Sequence, residues 1–165
     1  MPARTLLLIT ASSPEVQRAR RYRVLNFQQA TMPYLAAFVP SHWTVLHVDE
    51  AVEPVNLHAP ADLVAITFHT PSAPHAYSLA GHFRQRGITV ALGGPHVTLV
   101  PDEAQAHADV IFIGEAEVHW PLFLADFETG LALESALTNI TTASADKSEG
   151  IKAFMEKRSP VFKGM

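Results

Sequence analysis

The stretch "DLVAITFHTPSAPHAYSLAGHFRQRGITVALGGPH", residues 62–96, decides the fold. It opens on an apolar run, 62–68, and closes on a second, 88–94, that ends in two glycines. Between them, residues 73–86 repeat with helical spacing: Ala76, Leu79, Ala80 and Phe83 fall on one face. Gly87 follows and supplies a helix stop. Both runs are nearly continuous in apolar residues. That suits strands buried on both faces, as in a parallel sheet, rather than strands with one wet face. Strand, helix, strand is therefore the unit to look for elsewhere.

Three further runs complete the set: "TLLLIT" (5–10), "WTVLHV" (43–48) and "DVIFIG" (109–114). "PDEAQAHA" (101–108) begins with proline and two acids, a good helix start. "EVHWPLFLADF" (117–127) is a further helix candidate. The alternation predicts a doubly wound α/β fold with the five runs as strands of a parallel sheet. From about residue 128 the character changes. No strand-like run occurs, and two helices are expected, one near 131–140 and one after Ser144 or Asp146 that carries Ile151, Phe154 and Met155. The expected division is 1–127 and a helical tail, 128–165.

Bulk properties exclude several classes. Of 165 residues, 48% are apolar and 17% charged, which rules out a disordered chain. The net charge of −4 leaves no basic stripe, so no nucleic-acid partner is expected. No run approaches the roughly 18 apolar residues of a membrane span. The first run lacks a cleavage site, so a cytoplasmic location is expected. Cysteine is absent, which removes disulfides, thiolate zinc and iron–sulfur clusters. Among nine histidines no HExxH pair occurs, so no metal site is expected. There is no GxGxxG after the first run, no P-loop and no nucleophile elbow.

In doubly wound sheets, ligands lie beyond the carboxyl ends of the strands. Small and turn-forming residues gather there: "HTPSAP" (69–74), "GGPH" (93–96) and "GEAE" (114–117). Gly93 and Gly94 let a ligand approach the main chain, or make a tight turn. Thr70 and Ser72 offer hydroxyls, although Ser72 also suits a helix cap ahead of Pro74. Glu115 and Glu117 act as an acid/base pair, support a helix start or meet ligand amides. Of the histidines, only His69 and His96 belong to this edge.

The order "ADLVAIT", "FRQRG", "LGGPHVT", "PDEAQAHAD", "GEAE", preceded by "PYLAAFVP" (33–40) and "VDE" (48–50), resembles the N-terminal cobalamin-binding domain of cobalamin-dependent radical-SAM proteins. The resemblance covers about residues 1–127. It implies a flavodoxin-like (Rossmann-like) α/β fold, a doubly wound five-stranded parallel sheet in the order 2-1-3-4-5, with a corrin ring over its carboxyl edge, held by Thr70, Pro71, Ser72, Ala73, Gly93, Gly94, Pro95, His96, Gly114, Glu115 and Glu117. Many cobalamin domains carry a D-x-H-x-x-G loop after the first strand; here "TASSPEV" stands instead. The implied cobalamin is therefore base-off, without a histidine from that loop. The family's CxxxCxxC motif is missing too, so no iron–sulfur cluster forms here, and a separate radical-SAM domain or chain is the implied partner.

The tail, "GLALESALTNITTASADKSEGIKAFMEKRSPVFKG" (130–164), is similar to the C-terminal helices of crotonase-family enoyl-CoA hydratases, without their catalytic segments. The expectation is a cobalamin-binding domain, cut from a radical-SAM type protein and not catalytic alone. The alternatives are a crotonase-related acyl-CoA protein fragment and a non-catalytic interaction module with a vestigial cofactor site.

Overall fold

The computed structural model describes residues 4–15, 18, 30–130, 157 and 159. Five strands form one all-parallel sheet: β1 (Thr5–Thr10), β2 (Thr44–Asp49), β3 (Leu63–Thr67), β4 (Thr89–Gly93) and β5 (Val110–Ile111). Their order is β2-β1-β3-β4-β5, the flavodoxin-like arrangement that was expected. Helices between them are α1 (Thr31–Ala36), α2 (Ala73–Gln85), α3 (Pro95–Leu99) and α4 (Pro101–Gln105). Residues 119–130 are also helical. The chain divides into two compact units, 1–121 and 122–165. The two expected tail helices lie outside the described residues.

Strand register explains how the sheet sorts its side chains. Leu7, Val64 and Val90 stand side by side, as do Ile9, Ile66 and Leu92. These large residues face α2, where Ala76, Leu79, Ala80 and Phe83 complete the core. Burying Phe83 completely stabilises the fold by about 1.5–3 kcal/mol. The intervening row is different. Ala65 stands beside Ala91, and Thr67 beside Gly93. Alternation along a strand sends these small residues to the opposite face.

Local signals set the helix limits. Gly87, at φ +75°, ends α2 in the left-handed region that glycine tolerates best. Prolines open α3 and α4 at their first positions. The fourth helix is shorter than expected, 101–105 rather than 101–108, because His107 turns the chain back into β5. The last strand is shorter still; past Ile111 the pairing survives only as Phe112 N–H donating to Leu92 O.

The two ends of the sheet differ in chemistry. At the amino end, carboxylates staple backbone: Asp62 accepts from Thr5 N–H at 2.7 Å and Asp109 from Val90 N–H at 2.8 Å. Asp109 also pairs with Arg84 at 3.0 Å. Buried polar side chains gather at the other end. Thr10, Ser12, Ser13, Glu50, Thr67, Ser72 and His96 all lie at or just beyond a strand's carboxyl terminus. Buried polar groups are costly unless satisfied, so their segregation marks the edge where the fold concentrates its chemistry.

Candidate functional site

A cavity of about 660 Å³ opens at the carboxyl ends of β3, β4 and β5, on the sheet face away from α2. Its floor is the small-residue row: Ala65, Thr67, Ala91 and Gly93. Met32, Tyr34 and Leu35 of α1 form one wall, and Phe112 with Trp120 another. Gly94, Pro95, Gly114, Glu115 and Glu117 surround the rest. The lining is mostly apolar, with few polar groups at the rim, and the volume falls in the usual range for small-molecule and cofactor sites. Alanine and glycine make the hollow: larger side chains at 65, 91 or 93 would fill it.

Two glycines that look alike in sequence differ in kind. A side chain built on Gly93 would meet only Phe112 Cβ at 3.6 Å, an ordinary contact. Gly94 has φ +103° and ψ −177°, a conformation essentially confined to glycine. A Cβ there would lie 2.5 Å from Thr67 Oγ1 and 3.0 Å from Phe68 O. Gly94 therefore lets the chain turn beneath α3, while Gly93 opens the floor. Thr98, which the sequence reading did not single out, knits the loops together. Its hydroxyl donates to Gly94 O at 3.1 Å and accepts from Gly114 N–H at 2.9 Å.

The eleven residues named by resemblance separate into two groups. Gly93, Gly94, Pro95, Gly114, Glu115 and Glu117 line the cavity. Thr70, Pro71, Ser72, Ala73 and His96 do not. Ala73 belongs to the core under α2. Ser72 precedes α2 but makes no capping bond; its hydroxyl accepts from Ser13 N–H at 3.3 Å. Thr70 is exposed at the edge and reaches His96, Oγ1 to Nδ1, at 3.1 Å. His69 is exposed. Floor and wall residues Ala65, Ala91, Met32, Phe112 and Trp120 were missed. The signal for the floor is present in "LVAIT" and "TVALG", where large and small residues alternate inside runs that look uniformly apolar.

Beyond β1, where a histidine loop would stand, Ser12 and Ser13 are buried. Glu50 holds Ser12 N–H at 3.0 Å and contacts His75 Nε2 at 2.8 Å. The seven-apart pair His75 and His82 thus has separate environments: His82 packs edge-on to His58 at 6.1 Å. Among the described residues no group of three or more His, Cys, Asp or Glu is placed to hold a metal.

Behind the edge, Tyr77 stacks on His107 at 4.0 Å. Burial pushes its phenol up to about 12, helped by the Glu103 carboxylate nearby, although the two make no hydrogen bond of ordinary geometry. A phenol kept neutral in the fold contributes stability below pH 10 that is lost as pH climbs through about 12. Ultraviolet titration of the three tyrosines should show a late tyrosinate phase near pH 12. Tyr77→Phe should abolish it; a variant that keeps the phase places it on another tyrosine.

Comparison with known proteins gives partial likenesses. The chain is 42% identical over 87 residues to a bacteriochlorophyllide d C-8(2)-methyltransferase of Chlorobaculum tepidum, covering 53% of this chain and 19% of that one. It is 36% identical over 69 residues to a bacteriochlorophyllide d C-12(1)-methyltransferase of the same organism, covering 42% and 15%. An uncharacterised methyltransferase of Synechocystis is 31% identical over 100 residues, covering 58% and 18%. The chain thus spans less than a fifth of the length of these relatives. No family model matches, and no solved structure matches. These relatives are methyltransferases and lend no support to the crotonase likeness of the tail. No helix among the described residues is long and apolar enough to cross a membrane.

Proposed function

We propose that this chain is a corrinoid-binding module of a methyltransferase system, taking cobalamin at the carboxyl edge and working with a separate radical-SAM domain or chain. The observation that carries the reading is the cavity floored by Ala65, Ala91 and Gly93. Its fit to the group rests on three features. The hollow is apolar and suits a flat aromatic base, such as the one ending cobalamin's nucleotide tail. The mouth offers peptide groups bared by glycine, together with Glu115 and Glu117, to an amide-fringed macrocycle. Thr10 Oγ1, buried on the same row as Thr67 and Gly93 but outside the cavity lining, has no partner among the described residues. An orphaned buried hydroxyl calls for water or ligand.

When bound, cobalamin supplies a cobalt centre able to carry a methyl group. This chain's residues bind and orient it. Ser12 and Ser13 stand directly after β1 where the histidine loop would begin, so this stretch would offer cobalt no imidazole. Leu99, Ile113 and Val118, all largely exposed, add an apolar collar near the mouth on which a partner domain would close.

The test is direct. Purified protein mixed with hydroxocobalamin and desalted should retain the chromophore at about one per chain. Cobalamin at ~100 times its Kd should add about 2.7 kcal/mol of stability. A folded protein that emerges colourless, with unchanged melting, defeats the proposal and favours the vestigial module.

A further inference from the structure

His96 does not reach the cavity, yet it is 7% exposed and bonded at both ring nitrogens. Nε2 lies 3.4 Å from Glu103 Oε1 and Nδ1 3.1 Å from Thr70 Oγ1. Phe68 and Tyr77 flank the ring, with centroids 5.6 and 6.1 Å away, and hold its orientation. An ionised carboxylate accepts hydrogen bonds and donates none. Glu103 therefore needs a proton on Nε2, which leaves Nδ1 of the neutral ring as an acceptor. In that neutral ring the hydrogen between His96 and Thr70 comes from the threonine, whereas a doubly protonated ring would donate it from Nδ1. With its only hydrogen committed inward, the Thr70 hydroxyl presents lone pairs to the outside.

We infer that His96 is a positioning residue which makes Thr70 an obligate hydrogen-bond acceptor at the ligand edge, selecting an N–H donor such as a peripheral primary amide over a carboxylate. This rests on the corrinoid reading for the ligand's identity; the polarity itself rests on Glu103, His96 and Thr70 alone. A carboxylate at that place would set its lone pairs against those of the hydroxyl. A primary amide would donate. The inference gives Thr70 a role although it stands outside the cavity, and explains why a buried histidine beside the turn is tied to an exposed acid.

Two readouts test it on the full chain. Long-range proton–nitrogen correlation spectra of the ligand-free protein should show His96 protonated at Nε2 at neutral pH. Glu103→Lys substitutes a group that only donates, on a side chain 55% exposed, and should move the proton to Nδ1. Hydroxocobalamin affinity should fall about tenfold in Thr70→Val, the scale of one hydrogen bond. It should stay near wild type in Thr70→Ser, and fall in Glu103→Lys toward the Thr70→Val value. A wild-type proton on Nδ1, alone or on a doubly protonated ring, overturns the relay whatever binds. Undiminished affinity in Thr70→Val overturns it while leaving corrinoid binding in place. A wild-type chain that retains no cobalamin overturns the binding reading, and the ligand selection with it.

Discussion

Gly93→Val should leave the protein folded and cost it corrinoid. Position 93 is the last residue of β4, and its added Cβ meets only Phe112 at 3.6 Å. A β-branched residue suits a strand, so melting should change little. The new methyls, however, enter the cavity floor beside Thr67. The ligand must then lift off the sheet, and affinity should drop by about a hundredfold or more. Retention of hydroxocobalamin after desalting, measured beside a thermal melt, separates the two effects. A valine variant that binds as wild type does would put the ligand away from the β3–β4 floor.

The neighbouring position carries the opposite expectation. Gly94→Ala should damage the fold before it damages any site. Its backbone conformation is strained for any side chain, at a cost of order 1–3 kcal/mol. The methyl would also lie 2.5 Å from Thr67 Oγ1 and about 3 Å from Phe68 backbone atoms, so that strand end must shift. Together these should remove about 3 kcal/mol, a large part of ordinary domain stability, and lower the melting temperature by roughly 10 °C. Melting within a degree or two of wild type would show that the turn relaxes to another conformation.

The contrast between 93 and 94 shows how far the sequence could be read. "LGGPH" announces a bare turn after a buried strand, and both glycines looked equally able to face a ligand. Which one opens a cavity and which bends the chain depends on φ and on what lies across the turn. Thr67 and Phe68 sit there only because β3 is β4's parallel neighbour. The same holds for His96. Its place in "GGPH" put it at the ligand edge, yet the structure turns its ring inward against Phe68 and Tyr77, with Glu103 seven residues on as its partner. Ser72 looked like a helix cap and instead holds the loop after β1.

What the sequence determined by itself is the architecture. Five short apolar runs, separated by helical spacing and turn residues, admit few arrangements, because buried strands linked by helices must pair in parallel. The functional edge follows from that architecture, because ligands of such sheets lie beyond the carboxyl ends of the strands; the strand order was legible only through the family resemblance. Only the tertiary structure decided the cavity. Ala65, Ala91 and Gly93 are ordinary members of apolar runs until strand register sets them side by side on the face away from α2, walled by Met32, Phe112 and Trp120 from distant parts of the chain. A hollow is a property of what several segments leave unfilled together, and no single segment records it.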